Sequence, residues 1–265
     1  MEGTGKRLPA PLEECAVLIV GGTSGVGLAT ARKFAQSGVR KLAIMGRDRK
    51  RGEAALQSIA GAHPAIDVDF LAGDANQASD AARLCDIAHR RFGSIDVLVN
   101  STVGAAAPAL LHNIPIEDVE KIVAAQMLGP LLMSRAALPY MRDKGSGAII
   151  NVSSDAGKLA TPGESVIGAA MAGIVMFSRT LAIEAKRNGI RVNVITPSLI
   201  EGTLTHARMM QDPFAAKLFA KARQAANLGV VVAEDLADLI VFLAGPLAAR
   251  ITGQAISVNG GISAA

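Results

Sequence analysis

In Cys15-Ala-Val-Leu-Ile-Val-Gly-Gly-Thr-Ser-Gly-Val-Gly27 an apolar run of strand length breaks into glycines and passes into a helical pattern, Val26, Ala29, Ala31 and Phe34, that ends before Gly38. Strand, tight turn and helix in that order give a glycine pattern its chemical meaning. The glycines permit the turn and let an anion approach the backbone, while unpaired N–H groups at the helix start face it. Gly21, Thr23, Ser24, Gly25 and Gly27 are therefore candidate phosphate-binding residues.

Working outward, the alternation repeats. Lys41–Met45 reads as strand, 49–59 as helix, 66–71 as strand, 76–92 as helix and 96–99 as strand. A helix is expected over 115–141, interrupted or kinked near Gly129-Pro130, then a strand over Gly147–Val152 and a helix over 164–188. A strand over 191–196 leads into a less regular stretch to about Val232, a helix over 234–244 and a last strand over Ala255–Val258. Strands alternating with helices predict an α/β fold: one Rossmann-type doubly wound parallel sheet with helices on both faces. No repeat or linker divides the 265 residues, so a single domain is expected behind a polar lead over residues 1–14.

Half the residues are apolar, enough for a large core. The net charge of +4 is scattered, and seven Phe and one Tyr offer few stacking platforms, which argues against nucleic acid as a partner. Cys15 and Cys85 have neither disulfide-framework nor zinc spacing, which fits a reducing cytoplasm. The four histidines show no metal-ligand spacing and read as surface residues, so no metal is expected. The first fourteen residues contain no apolar core of a secretory signal. The most apolar stretch, Ser165–Ser178, falls short of the ~20 residues that span a bilayer, and no membrane partner is expected.

At the end of the second strand, where NAD-selective folds place an acidic side chain, the chain has Gly46-Arg47. A carboxylate that would repel a 2′-phosphate is missing, and Arg47, with Arg49 or Lys50 nearby, can pair with that phosphate. NADP is favoured over NAD if a cofactor binds. These residues leave open whether one binds at all.

With Gly21-x3-Gly25-x-Gly27, Asp74 after the third strand, Leu98-Val-Asn100 ending the fourth and Ile149-Ile-Asn-Val-Ser-Ser154 ending the fifth, the chain resembles the short-chain dehydrogenase/reductase family. Gly189–Pro197 and Ile251–Gly261 are similar to its sixth- and seventh-strand segments, so the resemblance covers nearly the whole chain. It implies cofactor contacts from Asp74 and Asn100 and a catalytic role for Ser154. It also implies a tyrosine on the next helix as general acid or base, with a lysine one turn later lowering its pKa. A phenol titrates near about 10 and needs a nearby cation to exchange protons around neutrality. The family's spacing puts these two residues at Ile167 and Met171, neither of which transfers protons. The family's helix asparagine falls on Gln126, its Asn-Asn-Ala-Gly loop reads Asn100-Ser-Thr-Val, and its Pro-Gly step is Pro197-Ser198. The departures gather at the reaction centre.

Substitutes are few: Tyr140, which falls where the family packs an apolar residue; Lys158, which reads as a solvated loop residue; and the acids Asp155 and Glu164, which also suit helix capping. Losing general acid–base assistance removes about 10²- to 10⁴-fold in rate. The leading expectation is a catalytically degenerate subunit of a homo- or hetero-oligomeric NAD(P)-dependent hydroxyacyl or alcohol dehydrogenase. The resemblance supplies a precedent in the hydroxyacyl-CoA dehydrogenase step of anaerobic benzylsuccinate breakdown. An active NADP(H)-dependent oxidoreductase with non-standard proton transfer and a nucleotide-sensing protein are the alternatives.

Overall fold

The computed structural model describes residues 9–264, so part of the lead over 1–14 lies outside the described residues; Leu12–Glu14 forms one 3-10 turn. Along the chain run β1 (Ala16–Val20), α1 (Gly25–Gln36), β2 (Lys41–Gly46), α2 (Arg49–Ala62), β3 (Asp67–Ala72), α3 (Ala78–Phe92) and β4 (Val97–Asn100). Then come α4 (Ile116–Lys144), β5 (Gly147–Val152), α5 (Ser165–Ala185), β6 (Ile190–Pro197), β7 (Ile200–Glu201), α6 (Leu204–Met209), α7 (Pro213–Ala225), β8 (Val231–Val232), α8 (Ala233–Ala244) and β9 (Ala255–Val258).

Seven strands form one parallel sheet in the order β3-β2-β1-β4-β5-β6-β9. The α/β fold with helices on both faces is as expected. β1 is buried at every position, because alternate side chains feed two cores. Val17 and Ile19 pack with Phe34, Ile44, Leu236 and Ile240 of one layer, while Leu18 and Val20 pack with Leu84, Met133, Met141 and Ile149 of the other. Chain order reverses between β1 and β4, which opens a crevice at the carboxyl ends of these strands.

Three expectations need correction. The helix over 116–144 is uninterrupted although Pro130 and Pro139 lie inside it. Gln126, Met133, Ala137 and Met141 are buried along it, and this packing carries the helix across the lost backbone donor. The stretch after β6 contains α6 and α7, bracketed by the small parallel pair β7 and β8. The apolar helical stretch is longer than Ser165–Ser178: Ser165–Asn188 and Ile116–Lys144 are both long and apolar enough to cross a membrane by length and composition. In the fold, α5 packs on β6 and α4, and α4 packs on β4 and β5.

Candidate active site

A cavity of about 400 Å³ fills the crevice. Its first wall is the turn after β1. Gly21 has φ of +80°, and a Cβ there would stand 2.5 Å from the Ser101 carbonyl oxygen. A Cβ on Gly27 would stand 2.3 Å from the Gly21 carbonyl oxygen, so this glycine lets α1 approach the turn. Ser24 occupies the N-cap position of α1 without a side-chain capping bond. Gly21, Thr23, Ser24 and Gly25 line the cavity; Gly27 stands behind the lining.

The far end is set by β2 and β3. Gly46 leaves room for Thr23, whose methyl carbon would lie 2.7 Å from a Cβ there. Arg47 and Asp74 line the cavity and approach each other at 3.8 Å. Asp74 also accepts a 3.0 Å hydrogen bond from the Asn76 backbone N–H. The second arginine of this wall is Arg51, which pairs with Asp48; Arg49 and Lys50, expected from sequence, do not line it. Arg47 sits in the bend after β2 and Arg51 in the first turn of α2, so the two reach the wall from different elements.

At the opposite end β5 delivers Ser154 into a short turn, where its Oγ accepts from the Ala156 N–H at 3.2 Å. Ile167 and Met171 line the same end. Met171 is buried, its carbonyl accepting from the Ser153 hydroxyl at 2.9 Å with its sulfur 3.5 Å from that oxygen. Gln126 is also buried and accepts from the Gly104 N–H at 2.9 Å, which fixes the loop after β4. Asn100 does not line the cavity: its amide donates to Asn151 at 2.8 Å, tying β4 to β5 inside the sheet.

Other sequence candidates move as well. Tyr140 stacks on His89, ring centroids 4.3 Å apart, away from the cavity. Lys158 is no solvated loop residue: its side chain is 10% exposed, 3.7 Å from Asp155 and 2.6 Å from Ser257. The histidines are not uniformly on the surface, since His89 Nδ1 and His206 Nε2 are buried without hydrogen-bond partners and His206 lines the cavity. Glu164 lines it too, and burial raises its carboxyl above the usual range, against a lowering hydrogen bond to Thr161.

The family model described as enoyl-(acyl carrier protein) reductase matches residues 20–263. The chain belongs to the short-chain dehydrogenase/reductase family. It is 30% identical over 252 residues to the 2-(R)-hydroxypropyl-CoM dehydrogenase of Xanthobacter autotrophicus, covering 93% of this chain and 98% of that one. It is 31% identical over 256 residues to the 3-oxoacyl-[acyl-carrier-protein] reductase FabG of Thermotoga maritima, covering 95% and 98%. Among solved structures, levodione reductase superposes with a TM-score of 0.87 at 27% identity, covering 94% of this chain and 97% of that one. An NADPH-dependent reductase of bacilysin biosynthesis gives 0.86 at 27%, covering 95% and 99%.

Members of the short-chain dehydrogenase/reductase family use NAD or NADP. The turn after β1 fits the pyrophosphate of such a dinucleotide: Gly21 and Gly27 let the turn pack directly against Ser101 and α1, and Ser24 makes no capping bond, which leaves the first N–H groups of α1 without a side-chain partner. Gly27→Ala is accordingly expected to cost about 1–3 kcal/mol by overpacking and to weaken dinucleotide binding as α1 shifts. Thermal unfolding and calorimetric titration of this variant read the two effects separately.

Proposed function

We propose that the chain is an active NADP(H)-dependent oxidoreductase in which the proton moves without the family's tyrosine and lysine. The observation that carries this reading is the open cavity, lined without a break in kind from the glycine turn and Arg47 to Ser154, Glu164 and His206. Gly21, Thr23, Ser24 and Gly25 hold the pyrophosphate, and Arg47 and Arg51 receive a 2′-phosphate. The nicotinamide, when bound, supplies or accepts a hydride; Ser154 orients the substrate oxygen, while Ile167 and Met171 exclude water beside it. The acyl and hydroxy substrates named for the relatives suit a wall that includes Val103, Pro108, Leu204 and Phe219.

A degenerate subunit paired with an active homologue is the second reading. It is favoured by the apolar side chains at 167 and 171 and by the exposed Leu128 of α4 and Met176 and Ile183 of α5, which suit association with another chain of this family. A cytoplasmic location is supported by Cys15 and Cys85, buried free thiols pushed by desolvation to about 12 and therefore inert.

Calorimetric titration with NADPH and NADH, beside the mass in solution, tests the proposal. NADPH is expected to bind more tightly, and Arg47→Glu to weaken it about 10- to 100-fold while leaving NADH nearly unchanged, the scale of one charge-assisted contact. An oligomer that binds neither nucleotide supports the silent subunit instead.

A further inference from the structure

We propose that Glu164 is the proton donor of this site, delivering its proton to a substrate carbonyl oxygen held at Ser154 and regaining it from water in an adjoining cavity. The inference rests on the reading of the chain as an active oxidoreductase.

Three observations place Glu164 in this role. It is the N-cap of α5, three residues before Ile167, makes no side-chain capping bond, and lines the cavity together with Ile167, the position where a tyrosine is missing. Among the side chains lining the main cavity, the carboxylates are Asp74 and Glu164, and Asp74 lies at the arginine end, engaged by Arg47 and the Asn76 N–H. Glu164 also lines a second cavity of about 250 Å³ that shares Ser154, Ser198 and Phe219 with the first. That volume holds several waters, and a carboxyl set between the two spaces meets substrate on one side and water on the other.

The groups facing Glu164 leave it this task. Asp155, across the second cavity, accepts from Ser257, Asn259 and Ser263 and pairs with Lys158. Lys221 faces the second cavity from α7, and His206 and Arg208 face the main one from α6. Desolvation raises the half-buried Glu164 carboxyl from its ordinary value, against the Thr161 hydrogen bond, and that direction suits a general acid.

The step balances. Carbonyl reduction takes one hydride, which a reduced nicotinamide supplies, and one proton. The Glu164 O–H bond breaks, its electron pair stays on the carboxylate, and a new O–H bond forms on the substrate alkoxide. Water in the second cavity then relays a proton from bulk solvent to the Glu164 carboxylate, so each turnover consumes one solvent proton.

The test combines three readouts. NADPH affinity by calorimetry must be unchanged in Glu164→Gln. The Glu164 carboxyl, followed by carbon NMR in protein labelled at glutamate and assigned by its loss in Glu164→Gln, is expected to titrate above the ordinary carboxylate range. With NADPH and a 3-oxobutanoyl thioester as probe, Glu164→Gln is expected to lower kcat about 100-fold and to remove the corresponding limb of the pH profile. Adding Ile167→Tyr and Met171→Lys to that variant is expected to restore turnover. An ordinary titration of Glu164, wild-type kcat in Glu164→Gln, no turnover of the probe by NADPH-loaded wild type, or loss of the limb in His206→Gln instead would overturn the proposal. Failure of the wild type to bind NADPH strikes the underlying function reading first, whereas binding with an ordinary Glu164 titration strikes the proton donor alone.

Discussion

Replacing Arg191 with leucine is expected to destabilise the protein by about 3–5 kcal/mol. Arg191 is 7% exposed on β6, and its guanidinium donates to the carbonyls of Leu243, Ala244 and Gly245. Leu243 and Ala244 end α8 and Gly245 caps it, so the guanidinium sits at the helix's negative pole, where carbonyls lack partners within the helix. Desolvation pulls the arginine down to about 10, so it is still a cation at neutral pH. Leucine would fill part of the space but leave the Leu243 and Ala244 carbonyls without the guanidinium that satisfies them, while Gly245 keeps the Ala248 N–H. At about 2–4 °C per kcal/mol for a chain of this size, the melting temperature should fall by about 10 °C. A fall of under 2 °C in thermal unfolding followed by circular dichroism would show that α8 is held mainly by Leu236, Ile240 and Leu243 in the core.

Arg191 also shows what a local pattern leaves out. The strand Arg191–Thr196 is legible from its apolar alternation, but a strand's periodicity carries no information about a helix end fifty residues away. The same holds for Lys158, whose partners Ala255 and Ser257 lie on the last strand. By itself, a lysine after a Ser-Ser turn looks solvated. Elements up to β6 were legible because each joins a strong period to glycine or proline punctuation, and the sheet order then follows from right-handed crossovers. The start signal of α7 is local: Asp212 caps it with Pro213 at the first position, and its side chain accepts from the Ala215 N–H at 2.8 Å.

At the site, the glycine turn and Arg47 were legible because their chemistry is local: backbone freedom in one case, a missing carboxylate in the other. Asn100 was placed by resemblance at the cofactor, yet its side chain is spent joining β4 to β5. Arg51 enters the lining from the first turn of α2, and His206 from α6, an element too short to show a period. Glu164 was readable only as a residue with two roles, acid or helix cap; it is the N-cap of α5 without a side-chain capping bond, and it lines the cavity.

Asp155→Ala is expected to cost a further large amount, about 3–5 kcal/mol, and to loosen two distant segments together. Asp155 is 5% exposed, and its two oxygens accept from Ser257 at 2.9 Å, Ser263 at 3.0 Å and the Asn259 amide, with Lys158 at 3.7 Å. Alanine leaves three donors and a buried ammonium without their carboxylate, the case in which breaking a buried pair is far costlier than never having built it. Asp155 is also the residue after Ser154, and its carbonyl accepts from the Lys158 and Leu159 N–H groups, forming the turn that seats Gly157 against the Met171 backbone. The knot therefore fixes Ser154 relative to α5 from one side and the end of β9 from the other. Asp155→Asn keeps one acceptor while the serine hydroxyls can rotate to meet the amide, so its loss should be about 1–2 kcal/mol. Hydrogen exchange is the discriminating measurement: in Asp155→Ala, protection should fall at 153–158 and at 255–263 to the same extent. A loss confined to 255–263 would mean that the turn stands on its own packing and that Ser154 does not depend on the chain's last strand for its position.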